Sequence, residues 1–147
     1  GKWFDENIGK EWSGLRKDIM KLLSEEAELL EMVKLVGVDS LSQKDRLKLE
    51  IARSVREDFL HQLAFHEVDT FTSPDKQLLM MKLIMEYYDK CLAALSEKTT
   101  VDAMIALDVR ERIGRFKYIP EEETKEAYAQ IKSEIKLQLK QLAERGE

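Results

Sequence analysis

The side chains with the clearest potential for metal chemistry lie close together, from Asp58 to His66. Asp58, His61 and His66 belong to the residue types that bind transition metals. His66-Glu67 starts like the H-E-x-x-H motif of zinc proteases, but no histidine follows at the fourth residue. The Glu-x-x-His pairs that build carboxylate metal centres in helical bundles are missing as well. We therefore expect no metal site, and we interpret His61 as a helix-end residue and His66 as a loop residue.

Motifs for nucleophilic catalysis and phosphate binding do not occur in the sequence. It contains no G-x-x-x-x-G-K-S/T, no G-x-G-x-x-G and no G-x-S-x-G, so it has no glycine-rich loop of the known types for phosphate. The single cysteine, Cys91, lies in a predicted helix without an activating neighbour, and we interpret it as a small core residue. Because one cysteine cannot form an internal disulfide, a reducing, cytoplasmic setting is expected.

The composition excludes several partners and indicates one fold class. Of the 147 residues, 36% are charged and 44% hydrophobic, and only 6 Gly and 2 Pro occur, which argues against a sheet-rich fold with its many turns. The net charge of −5 disfavours nucleic acid and anionic membranes as partners. The longest strongly apolar stretch, from Leu78 to Met85, is interrupted by Lys82 and is far shorter than the ~20 residues of a membrane span, so no direct membrane insertion is expected.

Apolar residues recur at the three- and four-residue spacing of helices along nearly the whole chain. We predict an all-α helical bundle of about four longer helices and two or three short ones. The first long helix is expected from about Lys10 to Leu35, after a short N-terminal turn that breaks at Gly9, and Gly37 is expected to end it. The other helix starts are signalled by cap residues and prolines, namely Ser42, Ser73-Pro74, Thr99 or Thr100, Asp108 and Pro120.

An apolar stripe and a basic cluster stand out within this pattern. The stripe recurs every fourth residue and predicts one continuous helix face, formed by Leu47, Ile51, Val55, Phe59 and Leu63. The basic cluster directly precedes an acidic run at residues 121–123 and consists of Arg110, Arg112, Arg115 and Lys117. We interpret the cluster and the run as compensating each other on a solvated face. An acidic partner surface or an intersubunit contact is the alternative.

Two segments, joined through residues 50–53 (EIAR), carry a resemblance to a known family. They are residues 36–47 (VGVDSLSQKDRL) and 56–71 (REDFLHQLAFHEVDTF). Read together, they resemble the C-terminal helical domain of the catalytic A subunit, or alpha chain, of archaeal-type and vacuolar-type rotary ATP synthases. Residues 11–13 (EWS), 25–29 (EEAEL) and 109–113 (VRERI) fit the same family. The likeness keeps its order and spacing over nearly the whole chain.

The resemblance implies that residues 1–147 are a single C-terminal helical domain of a larger catalytic subunit, with the nucleotide-binding domain outside this chain. The parent subunit would belong to an ion-translocating ATP synthase or ATPase that uses ATP or ADP with Mg²⁺. The fragment itself would carry no cofactor and no catalysis. Its implied partners are the other synthase subunits, in particular the B subunits and the central stalk. Its implied location is cytoplasmic and peripheral to the membrane, in the synthase head.

The resemblance also implies a contact with the rotor. In the related catalytic beta subunit, an Asp-Glu-Leu-Ser-Glu-Glu-Asp loop touches the rotating central shaft. The matching stretch here keeps both aspartates, the leucine and the central serine but is less acidic. The implied rotor-contact residues are Asp39, Ser40, Leu41, Ser42, Gln43, Lys44 and Asp45. The alternative for this stretch is an ordinary polar helical hairpin.

A second implied site lies at residues 59–65. In the related beta subunit, aromatic residues six apart line the adenine pocket, and the matching residues here are Phe59 and Phe65, with Ala64 beside the latter. Stacking on a base contributes about 1–3 kcal/mol, whereas millimolar affinity already requires about 4 kcal/mol. The isolated domain should therefore bind ATP weakly if at all. Phe59 fits the core stripe equally well, and Leu63 stands where the family usually has Asn.

Two other functions stay open on the sequence alone. A stand-alone helical protein-interaction module would share only the architecture with the ATP synthase family. A metal-dependent helical enzyme would rest on Asp58, His61 and His66 alone.

Overall fold

The computed structural model describes residues 2–60 and 73–146, with side chains from residue 9 onward. All regular elements in these ranges are helical. The long helices are α1 (Lys2–Val36), α2 (Gln43–Ser54), α3 (Pro74–Ala94) and α6 (Thr124–Gly146), and the short ones are α4 (Val101–Ile105) and α5 (Asp108–Gly114). A π-helical segment (Val55–Leu60) continues α2, and 3-10 turns occur at Val38–Ser40, Phe116–Tyr118 and Glu121–Glu123. The predicted all-α bundle of four longer and two short helices is confirmed.

Side-chain caps begin three helices where the sequence predicted them. Ser42, Ser73 and Thr100 each accept a first-turn backbone N–H, at 3.1, 3.1 and 3.3 Å respectively. Each cap satisfies one of the backbone donors that a helix start leaves without a partner. Pro120 precedes α6 with a 3-10 turn in between, and Asp108 is the first residue of α5 because Leu107 occupies the cap position.

The predicted start of the first helix was wrong. A short turn broken at Gly9 was expected, yet α1 runs without interruption from Lys2 to Val36. One glycine in a helix interior costs about 1 kcal/mol relative to alanine. In a 35-residue helix this single cost is small beside the packing of the other residues.

The core lies between α2, α3 and α6, with α1 along one side. Four residues of the predicted stripe, Leu47, Ile51, Val55 and Phe59, are buried in it, and Leu63 lies outside the described residues. Cys91 is fully buried, which confirms its interpretation as a core residue. Apolar side chains of the short helices and turns complete the core, among them Val101, Met104, Val109, Ile113 and Phe116.

Ion pairs fix α1 along its neighbours. Lys48 donates a close hydrogen bond to Glu25, which lowers the pKa of this carboxyl and raises the pKa of Lys48. The guanidinium of Arg56 lies 2.7 Å from the nearly buried carboxylate of Glu26. These pairs set the register of α1 against α2 and the π-helical segment.

A buried lysine, Lys76, ties the start of α3 to the turn before α6. Its ammonium group donates to the carbonyl oxygens of Lys117 at 2.8 Å and Ile119 at 2.7 Å. Burial lowers its pKa. Over the described ranges, no helix has the length and apolar character to cross a membrane.

Candidate functional site

The helical hairpin of α1 and α2 presents an exposed apolar tip. The helices pack side by side and are joined by residues 37–42. At the joint, Leu35, Val36 and Val38 are 85%, 61% and 58% exposed. We call these three side chains the tip patch. A cluster of exposed aliphatic side chains is typical of an interaction surface.

The turn beneath the tip patch is closed by hydrogen bonds. Gly37 has a φ of 89°, and its N–H donates to the carbonyl of Val33 at 2.8 Å. The hydroxyl of Ser40 donates back to the carbonyl of Gly37 at 2.7 Å, and Leu41 N–H donates to the carbonyl of Val38 at 3.0 Å. The predicted helix-ending glycine is confirmed, and the tip is a defined turn.

Replacing Gly37 with alanine is expected to destabilise the chain by about 1–3 kcal/mol, because a φ of 89° combined with a ψ of 162° suits only glycine. Gly14 provides the matched control. It lies inside α1 with nothing within 4 Å of an added Cβ, so Gly14→Ala should stabilise by about 0.5–1 kcal/mol. Urea unfolding of both variants measures the difference. If both variants changed the free energy of unfolding by the same amount in the same direction, the positive φ of Gly37 would be contradicted.

The residues behind the tip anchor it to α4. The side-chain oxygen of Gln43 accepts the Val101 N–H at 2.9 Å, and the guanidinium of Arg46 pairs with Asp102 at 2.6 Å. Gln43 therefore reaches toward α4 and holds the hairpin in place.

The implied rotor-contact stretch is divided by the structure into two environments. Four of its residues are exposed, namely Asp39, Ser40, Ser42 and Lys44. Leu41, Gln43 and Asp45 are half-buried. None of the three tip-patch residues belongs to the implied rotor-contact stretch, Asp39 to Asp45, which begins directly after Val38. The sequence does contain a signal for the tip patch: aliphatic residues stand on both sides of Gly37, which ends α1, and before α2 begins.

A second cluster surrounds Asp58 in the π-helical segment. Its carboxylate accepts the hydroxyl of Ser54 at 2.7 Å and pairs with the guanidinium of Arg110 at 3.0 Å. The Phe59 ring next to it is 4% exposed and packs in the core. Ala64 and Phe65 lie outside the described residues, as do His61 and His66.

Residues 1–105 match the family model of the C-terminal domain of V and A type ATP synthase. The chain belongs to this family. It is 51% identical over 142 residues to the V-type ATP synthase alpha chain of Acetivibrio thermocellus, covering 97% of this chain and 24% of that one. The corresponding chain of Clostridioides difficile is 50% identical over 140 residues, covering 95% and 24%. In Thermoanaerobacter pseudethanolicus it is 47% identical over 144 residues, covering 98% and 24%.

The resemblance in sequence is thereby confirmed as membership of the V/A-type ATP synthase family. The chain spans about a quarter of the length of these alpha chains, 24% in each case. It corresponds to their C-terminal domain.

The basic cluster of this ATP synthase domain is paired differently from the prediction. Compensation by the run at Glu121–Glu123 was expected, but Arg110 pairs with Asp58, and Arg115 lies 3.8 Å from Glu111. Glu121 instead accepts two hydrogen bonds from Ser73, at 3.0 and 2.8 Å. Glu121 therefore holds the start of α3, and Arg110 belongs to the Asp58 cluster.

The sequence offered two further candidates for chemistry, Cys91 and a metal site at Asp58, His61 and His66. Burial raises the pKa of Cys91 to about 12, so its thiol stays protonated at neutral pH. Within residues 2–60 and 73–146, no three His, Cys, Asp or Glu side chains are grouped closely enough to hold a metal ion.

Proposed function

We propose that this chain is the coupling domain of an ATP synthase catalytic subunit, with no catalysis of its own. Its hairpin tip contacts the central rotor shaft, and residues 59–65 close the adenine side of the ATP site in the parent subunit. The tip patch is the observation that carries this proposal. Leu35, Val36 and Val38 remain exposed at a turn held by Gly37 and anchored on α4 through Gln43.

The exposed tip favours an apolar sliding contact rather than an electrostatic one. Two charges near the tip compensate each other within α1, because Lys34 pairs with Glu31 at 3.0 Å. Asp39, Ser40 and Lys44 form a polar border of the tip patch. Of the other implied rotor-contact residues, Ser42 caps α2 by accepting the Asp45 N–H. Gln43 anchors α2 on α4, and the Leu41 N–H closes the turn on Val38. Removing the apolar side chains in the assembled synthase and measuring ion pumping per ATP tests this contact.

The path from the tip to residue 59 is a helix buried on its inner face. The 12 residues of α2 continue without a break into the six-residue π-helical segment, so one helical element joins the hairpin to residue 60. Ala52 and Val55 on this path are fully buried. A closely packed element of this kind transmits displacement as a rigid body.

The adenine side of the proposal rests on Ala64 and Phe65. Phe59 anchors the start of residues 59–65, because its ring is almost fully buried in the core. The phosphates of ATP or ADP, with Mg²⁺, would be bound by the nucleotide-binding domain of the parent subunit, since this sequence has no glycine-rich phosphate loop. The implied partners are the B subunits and the central stalk, and the implied place is the cytoplasmic head, peripheral to the membrane.

Replacing Phe65 with alanine in the assembled synthase is expected to raise the KM for ATP about 5- to 150-fold, because one base stack contributes about 1–3 kcal/mol. Steady-state hydrolysis at varied ATP measures it. Tyr118→Ala is the matched control, since this aromatic ring is 69% exposed and belongs to another part of the chain. An unchanged KM in the Phe65 variant would contradict the adenine-side role.

A further inference from the structure

Three exposed lysines follow one another at four-residue spacing along α6. They are Lys132, Lys136 and Lys140, which lie on one side of the helix, and we call them the lysine ladder. At the rise of an α-helix the ladder is about 12 Å long. Like charges four residues apart destabilise a helix. The fold gains nothing from this arrangement, which indicates a partner outside the domain.

An open groove lies beside the ladder. It has a volume of about 850 Å³ and is bounded mainly by α1, α3 and α6, with Lys132 and Tyr128 on the α6 side. The Lys132 ammonium lies 5.9 Å from the centre of the Tyr128 ring, and the Lys82 ammonium of α3 lies 5.8 Å from the same ring. Leu15 and Met85 add apolar surface. A groove between helices with apolar and charged walls suits a further amphipathic helix.

Two other lysines along the groove are neutralised within the domain, but the ladder is not. Lys48 pairs closely with Glu25, and Lys82 pairs with Glu11 at 2.5 Å. Over the described part of the chain, every ion pair between side chains joins residues outside the ladder. The ladder is thus a cationic strip on a chain with a net charge of −5.

The other walls of the groove do not extend this cationic strip. The α1 and α3 sides carry both signs of charge, with Asp18, Glu86 and Asp89 beside Lys21 and Lys90. Positive charge without a counterpart is therefore concentrated on α6. A partner in the groove would complement it with carboxylates on the side that faces α6.

We propose that the lysine ladder is the docking surface for an acidic helix of another subunit of the synthase. Carboxylates four residues apart on such a helix recur every ~6 Å, as the ladder lysines do, so that one carboxylate can face each lysine when the two helices lie side by side. The inference rests on the proposed function only in that the domain acts within an assembled synthase. It does not depend on the tip contact.

Nucleic acid and anionic membranes match the ladder less closely than an acidic helix. Both present negative charge over a wide surface, and the net charge of −5 opposes their approach to the domain as a whole. An acidic helix in the groove meets the ladder alone.

A zero-length carbodiimide cross-linker tests the contact in the assembled synthase, because it joins an amine only to a carboxylate that touches it. Mass spectrometry of the digested complex identifies the linked residues. We expect Lys132, Lys136 and Lys140 to be linked to Asp or Glu residues three or four positions apart on one helix of another subunit. Lys10 and Lys17, exposed on α1 outside the groove, should give no link to that helix.

Neutralising part of the ladder measures the contribution of its charge. In Lys136→Gln/Lys140→Gln, the yield of the link from Lys132 should fall about 2- to 30-fold, because two exposed ion pairs are lost. Lys136→Arg/Lys140→Arg keeps the charge and should keep this yield. Lys10→Gln/Lys17→Gln removes the same charge elsewhere and should also keep it. An unchanged yield in Lys136→Gln/Lys140→Gln would overturn the inference.

The identity of the linked residues excludes the other occupants. Links from the ladder to a second alpha chain, or only to carboxylates of the same chain, would overturn the inference. So would sedimentation of the full alpha chain with vesicles of anionic phospholipid that is lost in Lys136→Gln/Lys140→Gln. These results would leave the tip contact untouched, since ion pumping per ATP measures it. Intact ladder links together with normal pumping by a tip variant would refute only the tip contact.

Discussion

Replacing both Leu35 and Val38 with serine is expected to uncouple ATP hydrolysis from ion pumping in the assembled synthase. These side chains are 85% and 58% exposed in the isolated domain, so the fold does not depend on them. In a contact with the shaft they would be covered, and each aliphatic side chain then contributes about 1.5–3 kcal/mol. Losing both should weaken the tip contact by at least about 3 kcal/mol, roughly a hundredfold or more. Ion pumping per ATP hydrolysed measures the result.

Exposed apolar residues elsewhere on the domain provide the control for the tip variant. Met20 and Leu137 are 59% and 47% exposed on α1 and α6, and their replacement by serine should leave pumping per ATP unchanged. The free energy of unfolding of the tip variant should lie within about 0.5 kcal/mol of the wild-type value, as is usual for surface substitutions. Normal pumping by the tip variant would count against an apolar rotor contact.

Phe116→Ala is expected to cause one of the largest losses of stability. Phe116 is fully buried, and among the described residues it has the largest side chain that is fully buried. Truncating a buried phenylalanine to alanine costs about 3–5 kcal/mol, because transfer free energy is lost and a cavity remains. This loss is a large fraction of the free energy of unfolding of a typical domain, which is roughly 5–15 kcal/mol.

Urea unfolding of the 147-residue chain measures the effect. Tyr118→Ala is the matched control, since this ring is only two residues away and 69% exposed. We expect Tyr118→Ala to change the free energy of unfolding by no more than about 0.5 kcal/mol. A loss below about 1 kcal/mol for Phe116→Ala would contradict the packing of the turn between α5 and α6.

Local chemistry explains why most helix ends could be predicted. Ser42, Ser73 and Thr100 cap helices through hydrogen bonds that span three residues. Gly37 ends α1 because of its own backbone conformation. Such signals depend only on neighbours in the sequence, and the apolar stripe of α2 has the same local character.

The features that sequence reasoning missed depend on contacts between distant parts of the chain. The partners Asp58 and Arg110 are 52 positions apart, and the buried Lys76 bonds carbonyls more than 40 positions away. Neither pairing has a local signature. The unbroken α1 shows the same limit, because long-range packing outweighs the helix-breaking tendency of Gly9.

The most direct test of the coupling proposal is a cross-link from the hairpin tip in the intact synthase. Cys91 is the one cysteine of this chain, and its buried thiol, with a pKa raised to about 12, should not react. Within these 147 residues, Val38→Cys therefore places the one reactive thiol at the tip. A short thiol-to-amine cross-linker should join it to a central-stalk subunit, while Leu137→Cys on α6 should give no such product. Cross-linking of Val38→Cys only to subunits outside the central stalk, or to none, would contradict the proposed rotor contact.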